Sequence, residues 1–414
     1  MKRKFILHTL ALILFTALFF SCATSKLSEE KNQEAEAPSP TPQITDEDKE
    51  SFLSITFAGD IMAHTPNHKI SSYDKIWKDV KQYIEDSDLA LANIESPIDR
   101  TKEVASYPNF NLPESYVQAA IDAGFDAFSL ANNHSNDQGA SGIAQTIITS
   151  EDLVKKNEAK GKQVYFSGLR KSTEESYSYN LIEKKGWKIL FLPVTEILNY
   201  PYKNQCINFV HHTEKERKEF IEFCKKLRKE NPCDLFIISM HANEPEYTRN
   251  ITRHQKEYYH ALLEVCDVVW ANHAHIIKDR EIVRDEKTGR DKLIMYANGN
   301  TISAQRTRPE LDSKNPIGER DNTGDGLLYQ VTFSKSSKKC YNENGECEEA
   351  VKITSAKPIF ITTYINTAWE FVIKPLNQEF VDYLQEAGRS DWKQYIERRI
   401  KINNEYTKDI TTWQ

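Results

Sequence analysis

From Ser51 onward, short apolar runs alternate with amphipathic stretches, and one apolar run after another stops abruptly at a polar residue. That alternation is the pattern of βα units, in which buried strands take turns with helices that show one apolar face. It argues against a helical bundle and against a sandwich built only of strands. The apolar runs predict strands over 54–58, 88–92, 125–130, 188–194, 235–239, 267–270 and 292–296, with two closing strands over 327–333 and 358–364. Ile76, Val80 and Ile84 carry helical spacing and predict a helix over 73–86. Pro113 opens a further helix that Gly124 closes, and charged helices are expected over 214–229 and 255–266.

The residues that end these runs carry the chemistry. Asp60, His64, Glu95, Asn133, His241, His273 and His275 all stand where a strand should give way to a loop. Open α/β sheets keep their sites at the carboxyl ends of strands. Carboxylate oxygen, amide oxygen and neutral imidazole nitrogen are donors that Mn, Fe or Zn accept, and no thiolate is among them. A pair of divalent ions needs one carboxylate that spans both. Asp60 and Glu95 are the acidic residues placed to do so, with Glu95 preferred. Asn132 reads as a turn residue or as support for its neighbours, because adjacent side chains leaving a strand point oppositely. Asp137 either caps the next helix or supports the site. His68, His211, His212, His254 and His260 read as surface or helix-face histidines.

Composition bounds the partners. The formal charge of -7 argues against nucleic acid, which selects basic surfaces. Met1-Lys2-Arg3-Lys4 followed by an apolar stretch reads as an export signal over 1–22, and Cys22 after Ser21 suits a lipidated end that would attach the protein to a membrane in the cell envelope. Residues 23–50 hold eight acidic and three basic residues with Pro38, Pro40 and Pro42, and read as a disordered tether. Setting Cys22 aside leaves six of the seven cysteines. Cys340 and Cys347 flank a turn-rich loop that a disulfide can close, or they remain thiols like the other four. Residues 51–364 form the expected domain and 365–414 a helical extension, with Trp392, Tyr395 and Ile396 as packing residues. Arg306, Arg308 and Arg320 follow a site-forming turn and are candidates for meeting anionic groups.

Several blocks together resemble the capsule synthesis proteins of the poly-gamma-glutamate type, the CapA-like branch of the calcineurin-like metallophosphatase superfamily. They are Phe57-Ala58-Gly59-Asp60-Ile61-Met62, Ala92-Asn93-Ile94-Glu95-Ser96-Pro97, the run from Gly124 through Ala131-Asn132-Asn133-His134, His241 with Glu246-Tyr247, Ala271-Asn272-His273-Ala274-His275 with Glu281, and Tyr296-Ala297-Asn298-Gly299-Asn300. Ala242-Asn243 replace a pair that is usually Trp-Gly, and Ala271, Asn272 and Ala274 replace Gly, His and Pro, while the ligand atoms stay in place. The resemblance implies an α/β fold of two facing mixed sheets flanked by helices, a four-layer αββα sandwich of metallophosphatase type with two divalent ions between the sheets. It also implies that Asn133 is a metal ligand and His134 the catalytic acid. Asn93, Glu246, Glu281 and Asn300, inside the matched blocks, are expected to orient ligands or meet substrate. The implied activity is metal-dependent hydrolysis, phosphoester cleavage above all, on an anionic envelope polymer or a phosphorylated small molecule. A non-catalytic polymer-binding or export component is the rival reading, and amide hydrolysis shares the same metal logic.

Overall fold

A strand sends alternate side chains to opposite faces, so a strand that is apolar on both must be covered on both. The computed structural model describes residues 50–201, 206–309, 319–336, 341–346 and 350–413, and there the two faces of each strand meet different cores. The chain first lays down β1 (Glu50–Ile61), β2 (Leu89–Ile94), β3 (Ala127–Ser129) and β4 (Tyr165–Ser167) as parallel neighbours. It then builds a second sheet from β5 (Asn180–Lys184), β6 (Trp187–Thr195), β7 (Leu235–His241), β8 (Val268–Asn272), β9 (Arg280–Arg284) and β10 (Asp291–Met295). β11 (Asn300–Ile302), β12 (Asp325–Ser336), β13 (Lys352–Ile365) and β14 (Phe371–Pro375) return to the first sheet, and β15 (Asp409–Trp413) joins the edge of the second.

The first sheet runs β14-β13-β12-β1-β2-β3-β4, with β11 also paired to β1; the second runs β15-β9-β10-β8-β7-β6-β5. Both are mixed: β6, β7, β8 and β10 run parallel, whereas β5 and β9 are antiparallel to their neighbours β6 and β10. Leu53, Ile55, Phe57, Leu89 and Leu91 of the first sheet meet Ile189, Phe191, Leu235, Ile237 and Trp270 of the second in one core between the sheets. The alternate residues Ala90, Ala92 and Ile94 pack beneath helical Trp77, Tyr116 and Leu153. Leu190, Leu192, Phe236 and Ile238 pack beneath Phe220, Cys224, Tyr259 and Leu262 on the other side. Three apolar layers thus separate four layers of structure, the αββα arrangement expected from the resemblance. Each such fully buried aliphatic or aromatic side chain contributes about 1.5–3 kcal/mol.

Two features set the mouth of the sandwich. Trp270, fully buried, donates its indole Nε1–H across the sheets to Ala58 O at 2.8 Å. Gly59 lets the end of β1 approach the turn before β11, since a Cβ there would lie 1.9 Å from Gly299 O. That approach puts Asp60 in register with Asn300.

Residues 365–414 hold the expected helices, Gln378–Glu386 and Ser390–Tyr406, with Trp392, Tyr395 and Ile396 buried against the first sheet's outer core. They also supply two strands the sequence does not announce, β14 and β15, one on an edge of each sheet. The expected export signal, Cys22 and the tether lie outside the described residues, as do Cys340, Cys347 and the middle of the charged 306–323 loop. Cys206, Cys224, Cys233 and Cys266 are free thiols.

Candidate metal centre

Parallel strands deliver their carboxyl ends to one edge, and here two sheets share that edge. Asp60 lies at the end of β1, Glu95 directly follows β2, and Asn133 and His134 follow β3 in the first sheet. From the second sheet, His241 is the last residue of β7, and His273 and His275 follow β8. Both of these last histidines have left-handed backbone, with φ of 95° and 56°, and Tyr247 beside them has 59°. Such conformations cost non-glycine residues on the order of 1–3 kcal/mol each and persist where surrounding structure enforces them. The turn therefore bends against local preference to aim two imidazoles inward.

Three overlapping sets of donor atoms result, each within 4.8 Å: Glu95, His241 and His273; Asp60, Glu95 and His275; Glu246, His273 and His275. Glu95 Oε1 is ringed by His241 Nε2 at 3.7 Å, His275 Nε2 at 3.7 Å and His134 Nε2 at 4.0 Å. His275 Nδ1 lies 3.4 Å from Asp60 Oδ2, and His273 Nε2 lies 3.6 Å from Glu246 Oε1. The gaps of 3.6–3.7 Å from Nε2 of His241, His273 and His275 to Glu95 or Glu246 exceed hydrogen-bond length, yet they are what two ligands show when each stands about 2.0–2.2 Å from a shared ion. Asn133 joins through its amide oxygen, 2.9 Å from His241 Nε2.

The donors fit a cation because, among the described residues, four of their buried atoms have no protein partner. Glu95 is fully buried, and among the described residues neither of its carboxylate oxygens receives a hydrogen bond; Asp60 Oδ2 and His273 Nδ1 are likewise buried without one. A buried, unpaired carboxylate is among the costliest groups a protein can hold. Burial, and then the charges of Asp60 and Glu246, push the Glu95 carboxyl well above its usual range. Burial and the neighbouring imidazoles push His273 down to about 3 and His241 well below its ordinary value, so both are neutral, as metal ligation requires. Burial also works to lower His275, but Asp60, Glu246 and Asn300 outweigh it and raise this group.

Neighbours fix these donors. Asn93 donates Nδ2–H to Asp60 Oδ1 at 2.8 Å from the paired position on β2. Asn300 places Oδ1 3.0 Å from His275 Nδ1, while its amide nitrogen is spent on Ser303, Gln305 and Thr323 O. Asn132 holds its own loop, donating to Ile94 O and accepting from the His134 amide. Asp137 accepts from the His134 ring at 2.6 Å and from the Phe110 amide, and Gln138 takes the helix-capping position instead. Above the donors opens a cleft of ≈ 720 Å³ lined by His64, Tyr107, Asn133, His134, Asn199, Tyr200, Glu246, Tyr247 and His275, among others. Asn199 and Phe110 carry no sequence signal, since both sit in loops. Asn199 nonetheless contacts the His134 ring at 3.1 Å and Asn133 at 3.3 Å, and the Phe110 ring meets that of His134 edge-on at 4.8 Å.

Three sequence expectations are corrected. His64 enters none of the donor sets; its Nδ1 accepts the Ala304 amide at 3.2 Å, and burial and nearby histidines push it down to about 4. Glu281 serves the fold: its carboxylate binds His260, Tyr296 and Thr412, which joins β15 to β9. The reason is strand alternation. Ile282 faces the core between the sheets, whereas Glu281, like Val283, faces the helix-covered side. Arg306 is buried, donates to Tyr395 Oη at 2.7 Å and lies over the Trp392 and Tyr395 rings, so it packs the C-terminal helix instead of facing substrate.

The capsule biosynthesis protein CapA of Bacillus anthracis is 24% identical over 273 residues, covering 63% of this chain and 62% of that protein. The PGA biosynthesis protein CapA of Bacillus subtilis (strain 168) is 23% identical over 270 residues, covering 63% of this chain and 66% of that protein. The chain thus spans less than two thirds of the length of either relative. A crystal structure of a hypothetical protein from Thermus thermophilus covers 74% of this chain and 98% of its own at 16% identity, with a TM-score of 0.39, a likeness too distant to bear on the site. The bacterial capsule synthesis family PGA_cap matches residues 54–305, a span that takes in every donor described above. The chain belongs to the bacterial capsule synthesis protein family PGA_cap.

Proposed function

We propose that this protein is a metal-dependent hydrolase of the cell envelope, holding two divalent ions and cleaving a phosphoester in a capsule-type polymer or its precursor. One observation carries the reading: Glu95 is fully buried with both oxygens unpaired, and three imidazoles surround it. Glu95 belongs to two of the three donor sets, so it would be the carboxylate able to serve two ions. Asp60 and His275 would complete one position, and Asn133, His241 and His273 the other; Glu246 adds a carboxylate from the cleft side. Ions so held would supply Lewis acidity and a nucleophile at neutral pH.

The chain's own groups do the remaining work. Asp137 anchors the His134 ring through Nδ1, which leaves Nε2 directed at the donors and the cleft. With Nδ1 engaged by Asp137, Nε2 is the ring atom placed to give a proton to the departing oxygen. Asn199 and the edge of Phe110 limit rotation of that ring. The names of the two CapA relatives support a capsule role, and the cleft's size suits part of a polymer chain.

The test is hydrolysis of bis(p-nitrophenyl) phosphate by the full chain, with and without a chelator. Turnover should need the metal and fall by about 10²–10⁴-fold in His134→Ala with metal content unchanged. Bound metal with no turnover of any phosphoester would turn the reading to amide hydrolysis or to polymer handling without catalysis.

A further inference from the structure

Resting on the hydrolase reading, we propose that His64 is not a metal ligand but a substrate-binding donor, its Nε2–H holding a phosphoryl oxygen in the cleft beside His134. A backbone amide can only donate, and the Ala304 amide lies 3.2 Å from His64 Nδ1. Nδ1 must therefore present a lone pair, and the one hydrogen of a neutral imidazole must sit on Nε2. An ion bound at Nε2 would need that hydrogen moved to Nδ1, where it would collide with the Ala304 N–H and break the bond.

His275 shows the opposite arrangement. The Asn300 amide nitrogen is committed to three acceptors, so its oxygen faces His275 Nδ1 at 3.0 Å and fixes the hydrogen there. That leaves a lone pair on His275 Nε2, 3.7 Å from Glu95 Oε1 and ready for an ion. His64 and His275 are thus set by their partners to opposite tautomers, one a donor and one a ligand.

Position agrees with tautomer. His64 and His134 both line the cleft, and the Phe110 ring meets them edge-on at 5.1 and 4.8 Å, so one phenyl braces the two imidazoles. The His64 main chain is pinned by its own amide, which donates to Asn67 Oδ1 at 3.0 Å. Among the described residues, no protein group takes a hydrogen bond from His64 Nε2. A phosphoryl group in the cleft meets a lining that both imidazoles share.

The experiment compares wild type, His64→Ala, His64→Gln and His275→Ala, each as full chain, by elemental analysis and by calorimetric titration of the metal-loaded protein with inorganic phosphate. His64→Ala should keep the wild-type metal content and bind phosphate about tenfold more weakly or worse, the usual effect of losing a donor to a charged oxygen. His64→Gln, which retains an N–H, should recover most of that affinity, whereas His275→Ala should lose metal. Metal loss in His64→Ala matching that in His275→Ala overturns the proposal, and so does unchanged phosphate affinity with metal retained. If metal-loaded wild type binds no phosphate, the hydrolase reading itself fails and takes this role for His64 with it.

Discussion

Asp267 and Glu95 are both fully buried carboxylates at strand ends of the same sandwich, and the fold treats them in opposite ways. Asp267, just before β8, accepts from Arg228 and Arg290 at 2.7 Å each and from the Phe236 amide at 2.8 Å. Burial alone would raise its carboxyl, but the two guanidiniums override that and hold it well below the usual carboxylate range. Glu95, at the opposite end of the parallel strands, has no donor among the described residues and is pushed up by burial and by other acids. A buried charge that serves the fold is paired by the chain itself; one left unpaired marks where a partner from outside belongs.

Glu95→Gln should break that contrast most severely. Hydrolysis should drop on the order of 10³-fold or more as the shared ligand is lost. Thermal stability of chelator-treated protein should stay the same or rise, because a costly group is gone. A clear fall in the melting temperature of that metal-free variant would mean that Glu95 is paired after all.

Asp267→Asn is the mirror image. It should cost about 3–5 kcal/mol in urea unfolding by leaving two guanidiniums without their partner, with turnover per folded molecule unchanged. The sign in pH follows from the lowered carboxyl. Its stabilisation is present above the unfolded value of about 3.9 and lost as pH falls below it. Wild type should therefore lose stability faster than Asp267→Asn in acid, and parallel acid limbs would contradict the pairing.

The same contrast explains what was legible in the sequence. Asp60, Glu95, His241, His273 and His275 could be found because each interrupts or ends an apolar run, which β1, β2, β7 and β8 bury on both faces. Asn199 and Phe110 could not, since they reach His134 from loops whose course depends on the rest of the fold. Glu281 was misplaced because a motif carries no face, whereas strand alternation does. The segment 73–86 keeps Ile76, Val80 and Ile84 buried as helical spacing asks, but forms two short helices, Asp74–Trp77 and Lys81–Glu85. The short strands β4, β9, β11, β14 and β15 hold no apolar run longer than three residues, so nothing in the sequence declares them, whereas the equally short β8 extends an apolar run of four. Tautomers were out of reach altogether, because the Ala304 and Asn300 partners that set them lie far along the chain from His64 or in a separate turn.

Smaller effects sharpen the boundary between site and support. Asp137→Asn should lower kcat by about 10–100-fold without releasing metal, since its hydrogen bonds among the described residues go to His134 Nδ1 and the Phe110 amide. Metal release would make Asp137 part of the centre. Thr412→Val, which removes one hydrogen bond to Glu281, should cost about 0.5–1.5 kcal/mol and leave turnover untouched. A marked loss of activity there would return Glu281 to the site.

The account depends most on cations filling the space around Glu95. Elemental analysis of the full chain, purified without added metal and again after incubation with Mn, tests this directly. It should find divalent ions bound in both preparations, approaching two per chain in the second, and their loss on Glu95→Gln. Wild-type protein that stays free of metal in both preparations would contradict it.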